Sequence, residues 1–421
     1  MDTITHGIVG ALVGKAFFAG KDKPANFHSD ASTHASSGAI SGALSSPTAR
    51  AAIVACTIGS VFPDIDIFAG PLARNPLGIL EWHRNITHSL VMLPVWAVLL
   101  AAISAPLARK LKWGLPPFWK LAGIYAAGLG SHIFLDAATS YGTMVWSPLR
   151  YSRVSWDWLF IVDFTFSGIA LAPQFVAWCY REPAQFTRRA ASVWIVLSAG
   201  VLTVYKVAEN LGYAFPFWVV VIASAVLAAL LVAPRIGGAG FGWTRAGWCR
   251  VGMAALATYM VLAVVAHRQA LTDTENFAAA RHLQVESLAA LPLPPSLTHW
   301  AGLITTPQGV WRTTFHLPGG RPEVAEHYAA VDANHYITEA KSLRDVQVYL
   351  WFARFPIWQV EHRKGETVAE VTDVRFFRKD FQEKKPASGG QGATTQSSLP
   401  GFAFQVVFDA AGNIISHGLR R

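Results

Sequence analysis

The sequence predicts a mostly α-helical protein with several membrane spans, followed by a small β-rich (α+β) domain. Charged residues make up 14% of the 421 residues, whereas about 25% are charged in a typical soluble domain. Apolar runs about as long as a bilayer is thick recur up to residue 266. After residue 295, short runs of β-branched and aromatic residues alternate with turns. Together these features predict a polytopic membrane helix bundle of about seven spans with a short N-terminal helix.

The apolar runs give the predicted helices in chain order. Residues 4–19 are apolar but too short for a span of about 20 residues, so they predict a buried or re-entrant helix. Residues 20–37 are polar and low in complexity, which predicts a loop. The predicted spans are residues 38–62, 90–107, 118–137, 159–180, 191–211, 214–233 and 250–266.

Lys and Arg residues cluster on every second connection between these spans. The clusters are Arg109 to Lys112, Arg181 to Arg189, and Arg235 to Arg250. Such clusters face the cytoplasm, which predicts that the loops 64–88 and 136–158 lie outside. These cations and a polar tail account for the formal net charge of +9, so no nucleic-acid partner is predicted.

The chain divides into three predicted parts: a membrane-embedded helical domain at 1–266, a connector at 267–295 and an extramembrane β-rich domain at 296–421. Three prolines, ending at Pro295, mark the second boundary. Residues 384–398 are rich in Gly, Ser and Gln, which predicts a mobile insertion. The predicted strands are Trp300–Thr305, Val310–His316, Val346–Trp358, Thr367–Arg378, Phe402–Val407 and Asn413–His417.

Two polar blocks lie close together in sequence between predicted spans. Asp64 and Asp66 form an Asp-x-Asp pair, and an extended loop would direct both carboxylates to one side. His83 and His88 are five residues apart and do not share a helical face. We therefore expect His83 on the loop and His88 at the start of the next helix, with Thr87 near its cap.

A third polar pair lies at the end of the 118–137 run. His132 and Asp136 are four residues apart, so one helical face presents an imidazole and a carboxylate. Ionisable groups are costly in a span and usually functional. The alternative is a hydrogen-bonded His–Asp pair that only joins helices. Arg84 has two open interpretations: it binds an anionic substrate oxygen, or it neutralises nearby carboxylates.

Imidazole and carboxylate groups are ligands for Zn²⁺ and similar divalent cations. The histidines and aspartates of these motifs outnumber the three protein ligands typical of one catalytic zinc. They predict a site for one to three divalent ions, with Zn²⁺ as the predicted metal. Arg84 and Asp66 are the predicted catalytic residues. The predicted metal ligands are His6, Asp64, Asp66, His83, His88, His132, Asp136 and Asp163.

Four motifs in this order resemble the YdjM/YbcI-like family of bacterial inner-membrane proteins. They are Met1–Gly7, Pro63–Asp66, His83–Ser89 and His132–Asp136, and the segment from Trp156 to Asp163 is also similar. The resemblance covers roughly residues 1–265 and, less distinctly, the β-rich tail. It implies a metal-dependent hydrolase of the inner membrane. A distant similarity to the zinc-dependent phospholipase C and single-strand nuclease group implies phosphoester chemistry.

Three functions fit these observations. The first is a membrane hydrolase that acts on a lipid or amphiphilic phosphoester or ester through a metal-activated water, with membrane lipid around it. The second is a transporter in which the same polar residues form an ion path. The third is a scaffold whose extracytoplasmic β-rich domain binds a partner, with a vestigial metal site. The ligand cluster on one side of the membrane favours the hydrolase.

Overall fold

The computed structural model describes residues 1–18, 47–68, 77–110, 113–210, 216–236, 239–294, 296–320, 322–363, 365–376 and 402–420. Two compact units are present. The helical unit comprises Met1–Ile65, Arg84–Trp156 and Ile161–Val261. The β-rich unit comprises Asp66–His83, Asp157–Phe160 and Leu262–Arg421. The predicted loop at 20–37 and the predicted insertion at 384–398 lie outside the described residues.

The helices follow the apolar runs. They are α1 (Thr3–Val13), α2 (Pro47–Val61), α3 (Gly78–Trp82), α4 (Leu93–Lys110), α5 (Phe118–Ala137), α6 (Phe164–Cys179), α7 (Phe186–Asn210), α8 (Trp218–Ile236) and α9 (Arg245–Ala280). A π-helical turn, Gly14–Phe18, extends α1 and confirms the predicted short N-terminal helix. A 3₁₀ helix, Phe62–Phe68, follows α2.

Four helical segments among the described residues are long and apolar enough to cross a membrane. They are Pro47–Phe68, Leu93–Lys110, Trp218–Ile236 and Arg245–Ala280. Two further apolar helices, Thr3–Phe18 and Phe164–Cys179, are shorter. A mostly helical first part with apolar helices long enough for membrane spans is therefore confirmed, but a count of about seven spans is not.

Small residues bring α1, α2 and α5 into close contact. A Cβ added to Gly128 on α5 would lie 2.3 Å from the carbonyl oxygen of Cys56 and 2.9 Å from the amide nitrogen of Ser60, both on α2. A Cβ at Gly59 would lie 2.8 Å from the carbonyl oxygen of Tyr125. Membrane helices pack closely through such small residues, and this close approach determines which side chains meet at the ends of the helices.

The β-rich unit contains two four-stranded antiparallel sheets, each with its strands in chain order. The first has β1 (Ser287–Leu293), β2 (His299–Thr306), β3 (Gly309–His316) and β4 (Pro322–Ala329). Two short helices follow, α10 (His335–Ser342) and α11 (Arg344–Phe352). The second sheet has β5 (Pro356–Arg363), β6 (Glu366–Asp373), β7 (Ala403–Asp409) and β8 (Ile414–Leu419).

The hairpins predicted around 300–316 and 402–417 are confirmed by β2–β3 and β7–β8. The predicted strand Val346–Trp358 is wrong over its first half, which is α11. Val346, Tyr349 and Phe352 are its buried residues, and this spacing of three is helical rather than alternating. β1 forms within the segment predicted as a connector; it accommodates Pro292 because it is an edge strand.

The loop predicted to be extended at Asp64 and Asp66 is instead the 3₁₀ helix Phe62–Phe68. With about three residues per turn, residues two apart on such a helix do not share a face. The two carboxylates therefore do not point to the same side.

Candidate metal centre

Four buried side chains of the helical unit direct their ligand atoms to a common point. Asp64 comes from the 3₁₀ helix after α2, His88 from a short 3₁₀ helix at Ile86–His88, and His132 and Asp136 from the last turns of α5. One ligand atom from each lies within 4.8 Å of all the others. His132 and Asp136, which the sequence predicts on one face of α5, are thus joined by Asp64 and His88 from two other segments.

The distances between these atoms fit a single ion. The Nε2 atoms of His88 and His132 are 2.9 Å apart. They lie 3.2 and 3.4 Å from Oδ2 of Asp136, and each lies 3.5 Å from Oδ1 of Asp64. Ligands about 2.0–2.1 Å from a tetrahedral zinc are separated by about 3.3 Å. The four atoms are therefore spaced like the ligands of one divalent cation.

The tautomer of His132 also suits metal binding. Its Nδ1 lies 2.7 Å from the carbonyl oxygen of Ser60. A carbonyl can only accept a hydrogen bond, so Nδ1 carries a proton, and in the neutral form of the ring Nε2 presents a lone pair to the site. Histidines that bind metals are commonly oriented in this way by a backbone carbonyl. The close approach of α2 and α5 at Gly128 makes this hydrogen bond possible.

In each carboxylate, one oxygen contacts residues outside the four-residue group, and the other faces the two imidazoles. Oδ2 of Asp64 accepts a hydrogen bond from Thr3 Oγ1 at 2.5 Å, which leaves Oδ1 facing the imidazoles. Oδ1 of Asp136 contacts the amino group of Met1 and lies 3.1 Å from Nε2 of His6, while Oδ2 faces the imidazoles. Such contacts orient carboxylate ligands before an ion binds.

Arg84 balances part of the negative charge. Its Nε lies 3.0 Å from Oδ2 of Asp136, and its Nη1 donates to Thr139 Oγ1 at 2.9 Å. The side chain is only 2% exposed. Its backbone has a φ of 62°, in a region that non-glycine residues rarely adopt. The carbonyl of Arg84 accepts from the amide of Met144 at 2.9 Å, which helps to hold this conformation.

His6 lies beside the four-residue group without being part of it. Its ring stacks on that of His132 with centroids 3.6 Å apart, and both rings are buried. Its Nδ1 has no hydrogen-bond partner in the described part of the chain. A buried ring nitrogen without a partner is costly unless a ligand or water binds it. His6 therefore remains available for a metal or for an ordered water.

Ser89, rather than Thr87, interacts with the turn that leads into α4. Its Oγ accepts from the amides of Val91 and Met92 at 3.0 and 3.2 Å. The expectation that Thr87 lies near the cap is therefore wrong. Thr87 Oγ1 lies 3.1 Å from Nδ1 of His88 instead, where it can orient that ring.

The remaining predicted site residues have other partners. Asp66 and His83 belong to the β-rich unit and pair with each other, with Oδ1 and Nδ1 2.8 Å apart. Asp163 caps α6 through the amide of Phe166 and accepts from Tyr259 Oη at 2.7 Å. These three residues are not members of the four-residue group, and their roles as ligands stay predictions.

Sequence reasoning missed Thr3, Ser60 and Thr139, which orient the ligands and Arg84. Thr3 adjoins Asp2 in the first motif, which is a weak signal for a role at the site. Ser60 contributes its backbone carbonyl, a group that every residue has, so its residue type gives no signal. Thr139 follows the 118–137 run, and only the fold brings it to Arg84.

Residues 1–210 match the family model described as YdjM inner membrane protein. Over these residues the chain belongs to the YdjM family. The match includes all the residues of the four-member group and Arg84. It makes the chain an inner membrane protein by family, in agreement with the apolar helices. No curated protein and no solved structure matches this YdjM-family chain.

Proposed function

We propose that this YdjM-family protein is a membrane-bound, metal-dependent hydrolase acting on a lipid or amphiphilic phosphoester or ester. The observation that carries the proposal is the buried group of Asp64, His88, His132 and Asp136, with ligand atoms within 4.8 Å of one another. Burying two carboxylates and two imidazoles is costly unless they are paired or bind a cation. A hydrolase would use such a cation to activate water, whereas a scaffold with a vestigial metal site would only bind it.

The proposed cation is Zn²⁺, with one to three ions per chain. Two imidazole nitrogens and two carboxylate oxygens suit zinc, and the four residues supply enough ligands for one ion. Bound with a position left for water beside its protein ligands, zinc would supply a Lewis acid and an activated water. His6, with its unpartnered Nδ1, is the proposed source of a ligand to a second ion.

Arg84 and Asp66 are the proposed catalytic residues of the chain. The guanidinium of Arg84 lies beside Asp136 and carries donors that suit a phosphate or carbonyl oxygen on which negative charge develops. Asp66 pairs with His83 at 2.8 Å. A carboxylate beside an imidazole is an arrangement that enzymes use for general acid–base catalysis.

We also propose that the protein lies in a bacterial inner membrane, with the metal centre and the β-rich unit on the extracytoplasmic side. The support is the clustering of Lys and Arg on every second connection in the sequence. Cysteine accessibility to a membrane-impermeant reagent tests it, with single cysteines placed at Glu81 and Arg109. We expect labelling of intact spheroplasts at Glu81 only. Labelling at Arg109 alone would indicate the opposite orientation.

Metal analysis of purified protein tests the function. We expect about one or more zinc ions per chain in the wild type, and loss of most of this metal in His88→Gln and Asp136→Asn. His282→Gln removes an exposed imidazole elsewhere and is the matched control, which should retain metal. Phosphoester and ester hydrolysis should fall with the metal. Wild-type protein that is folded yet binds no divalent metal would contradict the proposal and favour the scaffold.

A further inference from the structure

The helical unit carries a cationic cluster, Lys15 and Arg250, at the end of α1 that lies away from the metal centre. Lys15 is part of the π-helical turn Gly14–Phe18, and Arg250 lies in the second turn of α9. Thr3, in the first turn of α1, donates to the metal ligand Asp64. Because a helix rises about 1.5 Å per residue, Lys15 is roughly 18 Å from Thr3 along the axis. The cationic cluster is therefore separate from the metal centre.

Close packing of α9 brings Arg250 to the π-helical turn. A Cβ added to Gly252 would lie 2.4 Å from Cγ of Pro173 on α6 and 3.4 Å from Cδ1 of Leu12 on α1. The helix thus approaches both neighbours closely, two residues beyond Arg250. At this approach Nε of Arg250 donates to the carbonyl oxygen of Ala16 at 3.1 Å. This hydrogen bond holds the arginine at the π-helical turn.

Lys15 is positioned at the same turn by a glutamine of α6. Its Nζ donates to Oε1 of Gln174 at 2.7 Å. Nε2 of Gln174 donates in turn to the carbonyl oxygens of Ile8 and Ala170, at 3.0 and 2.9 Å. Because these bonds use the amide hydrogens, the glutamine presents its oxygen to Lys15. An ammonium group has three donors, so Lys15 can bind a further acceptor at the same time.

The partners of both cations are uncharged. Lys15 binds an amide oxygen and Arg250 binds a backbone carbonyl oxygen, and in the described part of the chain neither forms an ion pair with Asp or Glu. Arg245, at the start of α9, is a further positive charge close enough to act on Lys15. Cations grouped in this way create a positive local potential that attracts an anion. Arg250 is exposed, and a guanidinium has five N–H donors that suit phosphate oxygens.

Aromatic residues cluster at the same end of the helical unit. Phe241 and Trp243 are 45 and 44% exposed, and their ring centroids lie 5.9 and 4.8 Å from that of Trp248 near the start of α9. Phe17, in the π-helical turn, is 58% exposed. Trp side chains are enriched at the level of lipid headgroups. The anions at that level are phospholipid phosphates, and the YdjM family is one of inner membrane proteins.

We propose that Lys15 and Arg250 bind the headgroup of an anionic phospholipid. The phosphate oxygens accept hydrogen bonds from the ammonium and the guanidinium, and an acyl chain lies against the exposed ring of Phe17. A zwitterionic lipid binds more weakly, because the cationic cluster repels its positively charged group. This inference goes beyond the proposed hydrolase function and does not depend on it.

Binding of fluorescently labelled phosphatidylglycerol to the full-length protein in detergent micelles tests the inference. The wild type should bind it about 25-fold more tightly than phosphatidylcholine with the same label, because each of the two cations contributes about five-fold. Lys15→Gln and Arg250→Gln should each weaken binding of phosphatidylglycerol by about five-fold, and the double variant should bind both lipids equally. Lys15→Arg and Arg250→Lys keep the charge and should retain most of the affinity.

Arg188→Gln is the matched control. It removes an equal charge from an exposed position on α7 and should bind phosphatidylglycerol like the wild type, which separates a local site from the effect of net charge. Glycerol 1-phosphate at millimolar concentration should not displace the lipid. Displacement by this soluble anion would assign the cationic cluster to a free phosphate ester and overturn the lipid assignment.

Two further results would overturn the inference. One is wild-type protein with equal affinity for the two lipids, and this comparison needs no substitution that could prevent folding. The other is a folded Lys15→Gln/Arg250→Gln protein that binds phosphatidylglycerol as tightly as the wild type. Zinc content should be equal in all the variants, because the metal centre is remote, so failure of the metal-dependent function is recognised separately.

Discussion

Gly128→Ala should damage the metal centre although Gly128 is not a ligand. The new Cβ would lie 2.3 Å from the carbonyl oxygen of Cys56 and 2.9 Å from the amide nitrogen of Ser60. Both are backbone atoms, so no side-chain rotation relieves the overlap, and α2 and α5 must move apart by about an ångström. The hydrogen bond from His132 Nδ1 to the carbonyl of Ser60, 2.7 Å long, would then break or lengthen beyond its useful range.

The expected magnitude has two parts. Overpacking should lower the free energy of unfolding by about 1–3 kcal/mol. Losing the carbonyl that orients a metal-binding histidine should weaken metal affinity by about 10- to 100-fold. Thermal unfolding in detergent measures the first part, and competition with a fluorescent zinc chelator measures the second.

Gly123→Ala is the matched control. It lies on the same helix, and a Cβ there would meet nothing within 4 Å. This substitution should keep zinc affinity unchanged and stabilise the helix slightly, by up to about 1 kcal/mol. Equal zinc affinities of the Gly128→Ala and Gly123→Ala proteins would refute the reasoning that helix proximity orients His132.

Three further outcomes are expected. Thr3→Ala removes the donor to Asp64 and should weaken zinc binding by about ten-fold in the chelator competition, whereas Thr3→Ser should not; equal affinities would exclude this orienting role. Tyr259→Phe removes a hydrogen bond to the buried carboxylate of Asp163 and should lower the free energy of unfolding by about 1.5–3 kcal/mol. Unfolding in denaturant measures this change, and a decrease of less than about 0.5 kcal/mol would contradict the prediction. Hydrogen bonds within its turn, chiefly from a side chain four residues later, lower the pKa of Asp409 below 3.8. Its contribution to stability should thus be present above pH 3.8 and be lost as the pH falls through the lowered pKa, and a carboxyl NMR titration with a midpoint at or above 3.8 would disprove this.

The charges at the centre explain why Arg84 and a cation are compatible. Asp64 and Asp136 contribute two negative charges, while Arg84 and the amino group of Met1 contribute positive charge beside Asp136. A divalent ion would therefore leave the buried group with a net positive charge. Such a centre attracts an anionic substrate into a region of low dielectric constant, where each charge has a stronger effect than in water.

Local patterns predicted much of the site. The i, i+4 spacing of His132 and Asp136 placed both on one face of α5, as observed. The apolar runs predicted the helices, and the hairpin composition near the C-terminus predicted β7 and β8. Periodicity fails where an element is short: the sequence predicts a strand where α11 forms, because a few apolar positions fit both periods. An extended loop at Asp64 and Asp66 would direct both carboxylates to one side, but the 3₁₀ helix that forms there directs them to different sides.

The amino-acid sequence by itself determined the class of the protein, the helical face of His132 and Asp136, and the residue types available to a divalent cation, because composition and periodicity are local properties. Only the tertiary structure decided that Asp64 and His88 join that face while Asp66 and His83 pair with each other. It also decided that a backbone carbonyl on α2 selects the tautomer of His132. The last of these outcomes depends on how closely α2 and α5 approach at Gly128, which brings together residues far apart in the chain.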